Sequence, residues 1–121
     1  GALILLGVLD GDSQREAEQL AEKVASFRYF RDDSGRMNRS ALEVGGAMLV
    51  VSQFTLAADT AKGMRPSFSS AAPPEQGRAL YEYFVAQARH KVSEVATGEF
   101  GADMQVSLIN AGPVTFLLEV G

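Results

Sequence analysis

The five residues Ala47-Met48-Leu49-Val50-Val51 are apolar without a break, and the polar group Ser52-Gln53-Phe54-Thr55 follows at once. An apolar run of this length that does not alternate is the pattern of a strand inside a sheet, with the rest of the chain arranged to cover it. Ala47–Phe54 is therefore the strongest strand in the chain and is expected to be central. Its polar end needs a separate explanation, because polar groups beside a core are either partnered or have a job. A second polar insertion has the same character. Asn110-Ala111-Gly112-Pro113-Val114-Thr115 lies between the strand-like runs Val106-Ser107-Leu108-Ile109 and Phe116–Leu118. A Gly-Pro pair at such a point fixes a backbone geometry that few residue pairs can adopt.

Around these segments the periodicities are simple. Leu3–Val8 has strand length. Asp10-Gly11-Asp12 is a turn, and Ser13 with Glu16 has the spacing of a capping box. Ala17, Leu20, Ala21, Val24 and Phe27 then recur at helical spacing, which predicts an amphipathic helix over 13–27. Arg28–Phe30 reads as a short strand, Asp32-Asp33-Ser34-Gly35 as a turn, and the stretch through Asn38 and Ser40 as a loop or a hairpin reaching Val44. Ala57–Pro74 has no periodicity, carries three prolines and is long for a loop inside a domain, which marks it as functional. Pro74 suits the first turn of a second helix running to about His90, with Ala79, Leu80, Tyr83, Phe84, Val85 and Ala88 as its apolar face. Val92–Val95 continues as strand or helix, and Thr97–Gly101 is a turn. Met104–Ile109 and Val114–Val120 read as strands joined by four residues, too short for a crossover, and hence antiparallel. The sum is an α+β chain with a mixed, mainly antiparallel sheet and two helices packed on one face.

Composition narrows the chemistry. The chain has 121 residues, 46% of them apolar, and a net charge of −4, which argues against a broad nucleic-acid surface but leaves room for local basic patches. Arg28, Arg31, Arg36 and Arg39 form one such cluster, Lys62 and Arg65 another. No run reaches the ~18 apolar residues of a membrane helix. Absence of cysteine removes disulfides, thiolate catalysis and cysteine metal sites, and fits a cytosolic protein. His90 is the only histidine, which leaves a Ser-His-Asp triad or a metal centre poorly supplied, and no phosphate-binding glycine loop is present. Asp59 and Asp103 read as turn residues. No metal or cofactor is expected. What remains is Ser52, Gln53, Thr55, Asn110, Thr115 and the backbone around them, a set able to hold an ester carbonyl through N–H groups.

At these residues the chain resembles the D-aminoacyl-tRNA deacylases. Ser52-Gln53-Phe54-Thr55-Leu56 matches one family segment and Asn110–Thr115 another. Gly45-Gly46, Asp59 through Arg65-Pro66-Ser67-Phe68, Ala71–Pro74, Arg28–Asn38 and Phe100–Val106 extend the likeness over nearly the whole chain. The resemblance implies one deacylase domain over 1–121. It also implies a cytoplasmic homodimer that cleaves the ester of D-aminoacyl-tRNA and of glycyl-tRNA mischarged on tRNA-Ala. Backbone N–H groups near Gln53 and Phe54 would stabilise the oxyanion, with Ser52 and Thr55 completing the catalytic segment. Thr55 would position rather than attack, and the terminal 2′-hydroxyl of the tRNA would help activate water. Gly112 and Pro113, in cis, would form a chiral filter reaching into the partner's pocket, and Phe100, Met104 and Gln105 would line an adenosine pocket. Arg28, Arg31, Lys62 and Arg65 are candidates for tRNA contact. The chain opens Gly1-Ala2-Leu3, without the family's first strand, so that strand is expected to be missing. A non-catalytic tRNA-binding or synthetase-editing-like module is the alternative reading.

Overall fold

The apolar run does become the middle of a sheet. In the computed structural model, which describes residues 1–121, strand β4 (Met48–Ser52) lies between β1 (Ala2–Leu6) and β5 (Val95–Thr97). Both neighbours run parallel to it, with Ala2 opposite Met48, Leu6 opposite Ser52, Met48 opposite Val95 and Val50 opposite Thr97. This overturns the expectation of a mainly antiparallel sheet. Parallel neighbours need long crossovers, and the two long helices supply them. Helix α1 (Gln14–Ser26) lies in the chain between β1 and β4, and α3 (Pro74–Lys91) between β4 and β5. The only antiparallel strand pair is a two-stranded ribbon of β2 (Phe30–Arg31) and β3 (Met37–Arg39), with an irregularity in its register, beside the isolated antiparallel bridges Leu9–Ala71 and Asp59–Ser67.

The inference from the four-residue connection fails because the segments it joins enter no ladder. Met104–Ile109 and Val114–Val120 form no strand. The far edge of β1 pairs with nothing, and a groove of about 1700 Å³ separates β1 and α1 from the C-terminal stretch Leu108–Gly121. Lys23 Nζ donates to the Glu119 carbonyl at 3.1 Å across this side of the molecule.

Met48 and Val50 project into the main core, where they meet both long helices. Helix α1 contributes Ala17, Ala21, Val24 and Ala25, and its small residues bring α3 close. Helix α3 contributes Leu80, Tyr81, Phe84, Val85 and Ala88. Phe84 is 1% exposed and Val50 is fully buried, so truncating Phe84 to Ala would cost about 3–5 kcal/mol. On the opposite face Val51 is buried but Leu49 is exposed, so β4 is covered fully on one side only.

The helix ends follow local chemistry. The Glu16 carboxylate accepts from the Ser13 N–H at 3.1 Å and from the Ser13 hydroxyl, closing the first turn of α1. Pro74 opens α3, and Arg89, His90 and Lys91 fill its last turn, where cations are favoured. A third, single-turn helix α2 (Ala41–Val44) stands where a hairpin reaching Val44 was an option. Ser40 caps it by accepting from Glu43 N at 3.2 Å, and Gly45 ends it in a left-handed conformation at φ 64°. Lys91 of α3 and Glu22 of α1 pair at 2.6 Å, an exposed tie between the two helices. No helix is long and apolar enough to cross a membrane.

Candidate active site

Parallel strands bring their carboxyl ends to one side, the usual place for a ligand in such sheets. Three segments emerge there: Gly7 after β1, Ser52–Thr55 at the end of β4, and Gly98–Met104 after β5. Gln53 N–H donates to the Leu6 carbonyl at 2.7 Å, which fastens the end of β4 to β1. The chain then tightens into a short 3₁₀ turn, Phe54–Ala57, in which Leu56 N–H reaches the Gln53 carbonyl at 3.1 Å and Ala58 N–H that of Thr55 at 3.1 Å. The first N–H groups of a helical turn have no acceptor inside it. Here those groups belong to Phe54 and Thr55, and neither has another acceptor in the chain.

The side chains of this turn hold one another. Gln53 Nε2 donates to Thr55 Oγ1 at 2.5 Å. The Phe54 ring, 63% exposed, meets Phe68 at 5.2 Å, so the aperiodic 57–74 loop is pinned through the site itself. Gly7 is required beneath the turn, because a Cβ there would come within 2.9 Å of Leu56 Cβ and 3.3 Å of the Gln53 carbonyl oxygen.

Val50 anchors the other side. Its carbonyl accepts from Gly98 N–H at 3.1 Å and from the buried Tyr81 hydroxyl at 2.8 Å. Burial pushes the Tyr81 phenol up, against the opposing pull of Thr97 and Arg89. Past β5 the Met104 sulfur packs on Gly98, where a Cβ would stand only 2.8 Å from it and 3.7 Å from Val51. The Phe100 ring tilts against that of Tyr81, with 5.9 Å between centres. Phe100 and Met104 thus both sit at the carboxyl end of the sheet, whereas the side chain of Gln105 is exposed.

The second polar segment is a self-contained turn. Asn110 Oδ1 accepts from Val114 N–H at 2.9 Å, and its Nδ2 donates to Thr115 Oγ1 at 3.0 Å, so one side chain ties both ends. Gly112–Pro113 at its tip is a cis bond, and Gly112 has φ 129°, where a Cβ would fall 2.8 Å from Val114 Cγ2. Residues 110–113 are exposed, and no hydrogen bond joins them to Ser52–Thr55 within the chain. Asn110, Ala111, Val114 and Thr115 face the wide groove, as do Leu56 and Ala57 at the end of the 3₁₀ turn.

The remaining candidates are ordinary. Asp59 exchanges backbone bonds with Ser67 at 2.7 and 3.0 Å and accepts from Ala61 N–H through its carboxylate, as a turn residue does. His90 and Asp103 are exposed. Arg28 donates to Asn38 at 3.2 Å, within a loop organised by Asp32, whose carboxylate is held below its usual range first by the Ser34 hydroxyl. Arg31, Lys62 and Arg65 make no ion pair. Sequence reasoning passed over Gly7 and Tyr81. The signal for Tyr81 was its spacing to Phe84, Val85 and Ala88, which shows that Tyr81, rather than the half-buried Tyr83, belongs to the core face.

The family model described as D-Tyr-tRNA(Tyr) deacylase matches residues 1–119. The chain belongs to that family. It is 59% identical over 119 residues to a D-aminoacyl-tRNA deacylase of Stutzerimonas stutzeri, a match covering 98% of this chain and 82% of the relative. It is 60% identical to the D-aminoacyl-tRNA deacylase of Pelobacter propionicus over the same shares. Among solved structures it is similar to a c-Myc DNA unwinding element binding protein, with a TM-score of 0.94, 39% identity, and coverage of 100% of this chain and 83% of that one. In this chain the turn after β4 and the Asn110–Thr115 turn each combine exposed polar groups with a frame of local hydrogen bonds.

Proposed function

We propose that this chain hydrolyses the ester joining a D-amino acid to the 3′ end of tRNA, releasing free amino acid and tRNA, and that it removes glycine mischarged on tRNA-Ala in the same way. The observation that carries the mechanism is the pair of unpartnered N–H groups on Phe54 and Thr55 at the carboxyl end of β4. The names of the relatives, D-aminoacyl-tRNA deacylases at about 59% identity, supply the substrate class.

In this reading water attacks the ester carbonyl, the carbonyl oxygen becomes an oxyanion, and the N–H pair receives it. Each such donor is worth ~2.7–4 kcal/mol to the transition state. The carbon–oxygen bond to the ribose then breaks, and the leaving oxygen takes a proton. Thr55, held by Gln53, positions the carbonyl, and Ser52 ends the strand that aims the turn. The chain has no cysteine, its one histidine lies in the last turn of α3, and no carboxylate hydrogen-bonds the 3₁₀ turn, so the 2′-hydroxyl of the terminal ribose is the natural group to help activate water. Phe100, Met104 and Gln105 would hold the terminal adenosine.

Chirality would be read by Gly112 and Pro113, whose carbonyl oxygens would take the α-amino group and leave an L-side chain no room. The Asn110–Thr115 turn is exposed on its own chain, which supports placing it in the pocket of a second subunit in a cytoplasmic homodimer of single-domain chains. Incubating the purified protein with D-Tyr-tRNA and L-Tyr-tRNA tests the reading. Loss of the D-ester alone is expected. Equal loss of both, or of neither, would overturn it, and tight tRNA binding without hydrolysis would favour a non-catalytic tRNA-binding module.

A further inference from the structure

Beside the adenosine side of the site lies a separate cleft of about 310 Å³, between α3 and the segment that follows β5. Its floor includes Tyr81 and Phe100, whose rings stand 5.9 Å apart. At one end the Arg78 guanidinium carbon lies 5.3 Å from the centre of the Phe100 ring. At the other is Arg89, whose sole hydrogen bond is a long 3.5 Å contact to the Val95 carbonyl. Neither arginine is in an ion pair, although Glu82 and Glu99 also line the cleft. The cleft therefore offers a guanidinium backed by an aromatic ring, a second arginine outside any ion pair, and carboxylate acceptors together.

That combination has a specific fit. Single-stranded nucleic acid is held by stacking bases on aromatic and guanidinium planes and by pairing phosphates with arginine. Carboxylates accept from the exocyclic amine of cytosine. We infer that this cleft is a second nucleotide subsite, which binds the cytidine preceding the terminal adenosine of the tRNA acceptor end. The inference rests on the deacylase reading of the neighbouring turn. Phe100 supplies the continuity, since it lines the cleft and is itself one of the residues assigned to the adenosine. The cytosine stacks on the outer face of the Arg78 guanidinium, which Phe100 backs, its amine faces Glu82 or Glu99, and Arg89 meets the phosphate that links the two nucleotides.

The probes are two small esters, D-tyrosyl adenosine and the D-tyrosyl ester of the dinucleotide cytidylyl-adenosine. The wild-type chain is expected to show a KM about tenfold lower for the dinucleotide ester, the scale of one stacked base or paired phosphate, with similar kcat. Arg89→Ala should erase that advantage without raising the KM of the adenosine ester, and Arg89→Lys should restore part of it. The salt dependence of the dinucleotide KM should weaken in Arg89→Ala by about 0.7 in the log–log slope. Equal KM for both esters in the wild type, or an equal rise for both in Arg89→Ala, overturns the subsite. Should neither ester be cleaved, the deacylase reading fails by itself. Calorimetric titration with unacylated cytidylyl-adenosine then decides the subsite, supported by weaker binding in Arg89→Ala and refuted by unchanged binding.

Discussion

At the scale of residues, this molecule assigns the same residue types to very different tasks. Glu22 and Asp32 are both exposed carboxylates held below their ordinary range, but one ties two helices and the other organises a loop. For Glu22 the cause is first the Lys91 ammonium and then the Ser26 hydroxyl, both of which favour the ionised form. A carboxyl depressed in the folded state stabilises the fold above its ordinary value of 4.5, and that contribution is lost as pH falls through the lower folded value. Glu22→Gln should therefore lower the melting temperature slightly at neutral pH, flatten the acid limb, and converge on the wild type as pH falls below the lowered folded value. Thermal melts from pH 3 to 7 check this, and a parallel shift at every pH would contradict it. At this same scale the site was only half legible. Ser52–Thr55 and Asn110–Thr115 stand out as polar interruptions of apolar runs. Gly7 does not, because what demands it is the Leu56 Cβ and the Gln53 carbonyl, brought over it by the fold.

Elements were legible wherever the signal was local. The helical period over 13–27 becomes Gln14–Ser26, and the second helix runs Pro74–Lys91. The apolar run at 47–54 becomes Met48–Ser52. Strand direction was not legible, because it depends on which distant run lies alongside. The short connection at 110–113 carries information about its own flanks alone, whereas the helices between β1, β4 and β5 set the sheet as parallel. Apolar strand-length character was also insufficient for Met104–Ile109 and Val114–Val120, which enter no strand ladder. A prediction at this scale concerns the alanine stripe Ala17, Ala21 and Ala25, which lets α1 approach α3. Ala21 is 1% exposed, so Ala21→Leu forces extra methylenes into filled space and should destabilise by about 1–3 kcal/mol. Urea denaturation measures it, and an unchanged midpoint would mean that the helix pair has slack the packing does not show.

At the scale of the whole molecule, the parallel sheet gathers the N–H pair of Phe54 and Thr55 and the Phe100–Met104 segment at one end, while the Asn110–Thr115 turn faces outward. If the active site is shared between two subunits, each with its oxyanion donors and the other's Gly112–Pro113, then two defects on different chains can complement. Gly112→Ala places a side chain where φ is 129° and Val114 leaves no room, which should disable the filter turn. Thr55→Val removes the hydroxyl that Gln53 holds. Each variant alone should lose most D-Tyr-tRNA hydrolysis. In an isologous dimer each site joins one turn from either chain, so random exchange of equal amounts makes half the dimers mixed, with one wild-type site each. Mixing the two variants under exchange conditions should therefore restore roughly a quarter of wild-type activity. Recovery that tracks subunit exchange supports the shared site. A mixture no more active than its parts, in dimers shown to exchange, places both segments on the same chain and removes the cross-subunit filter.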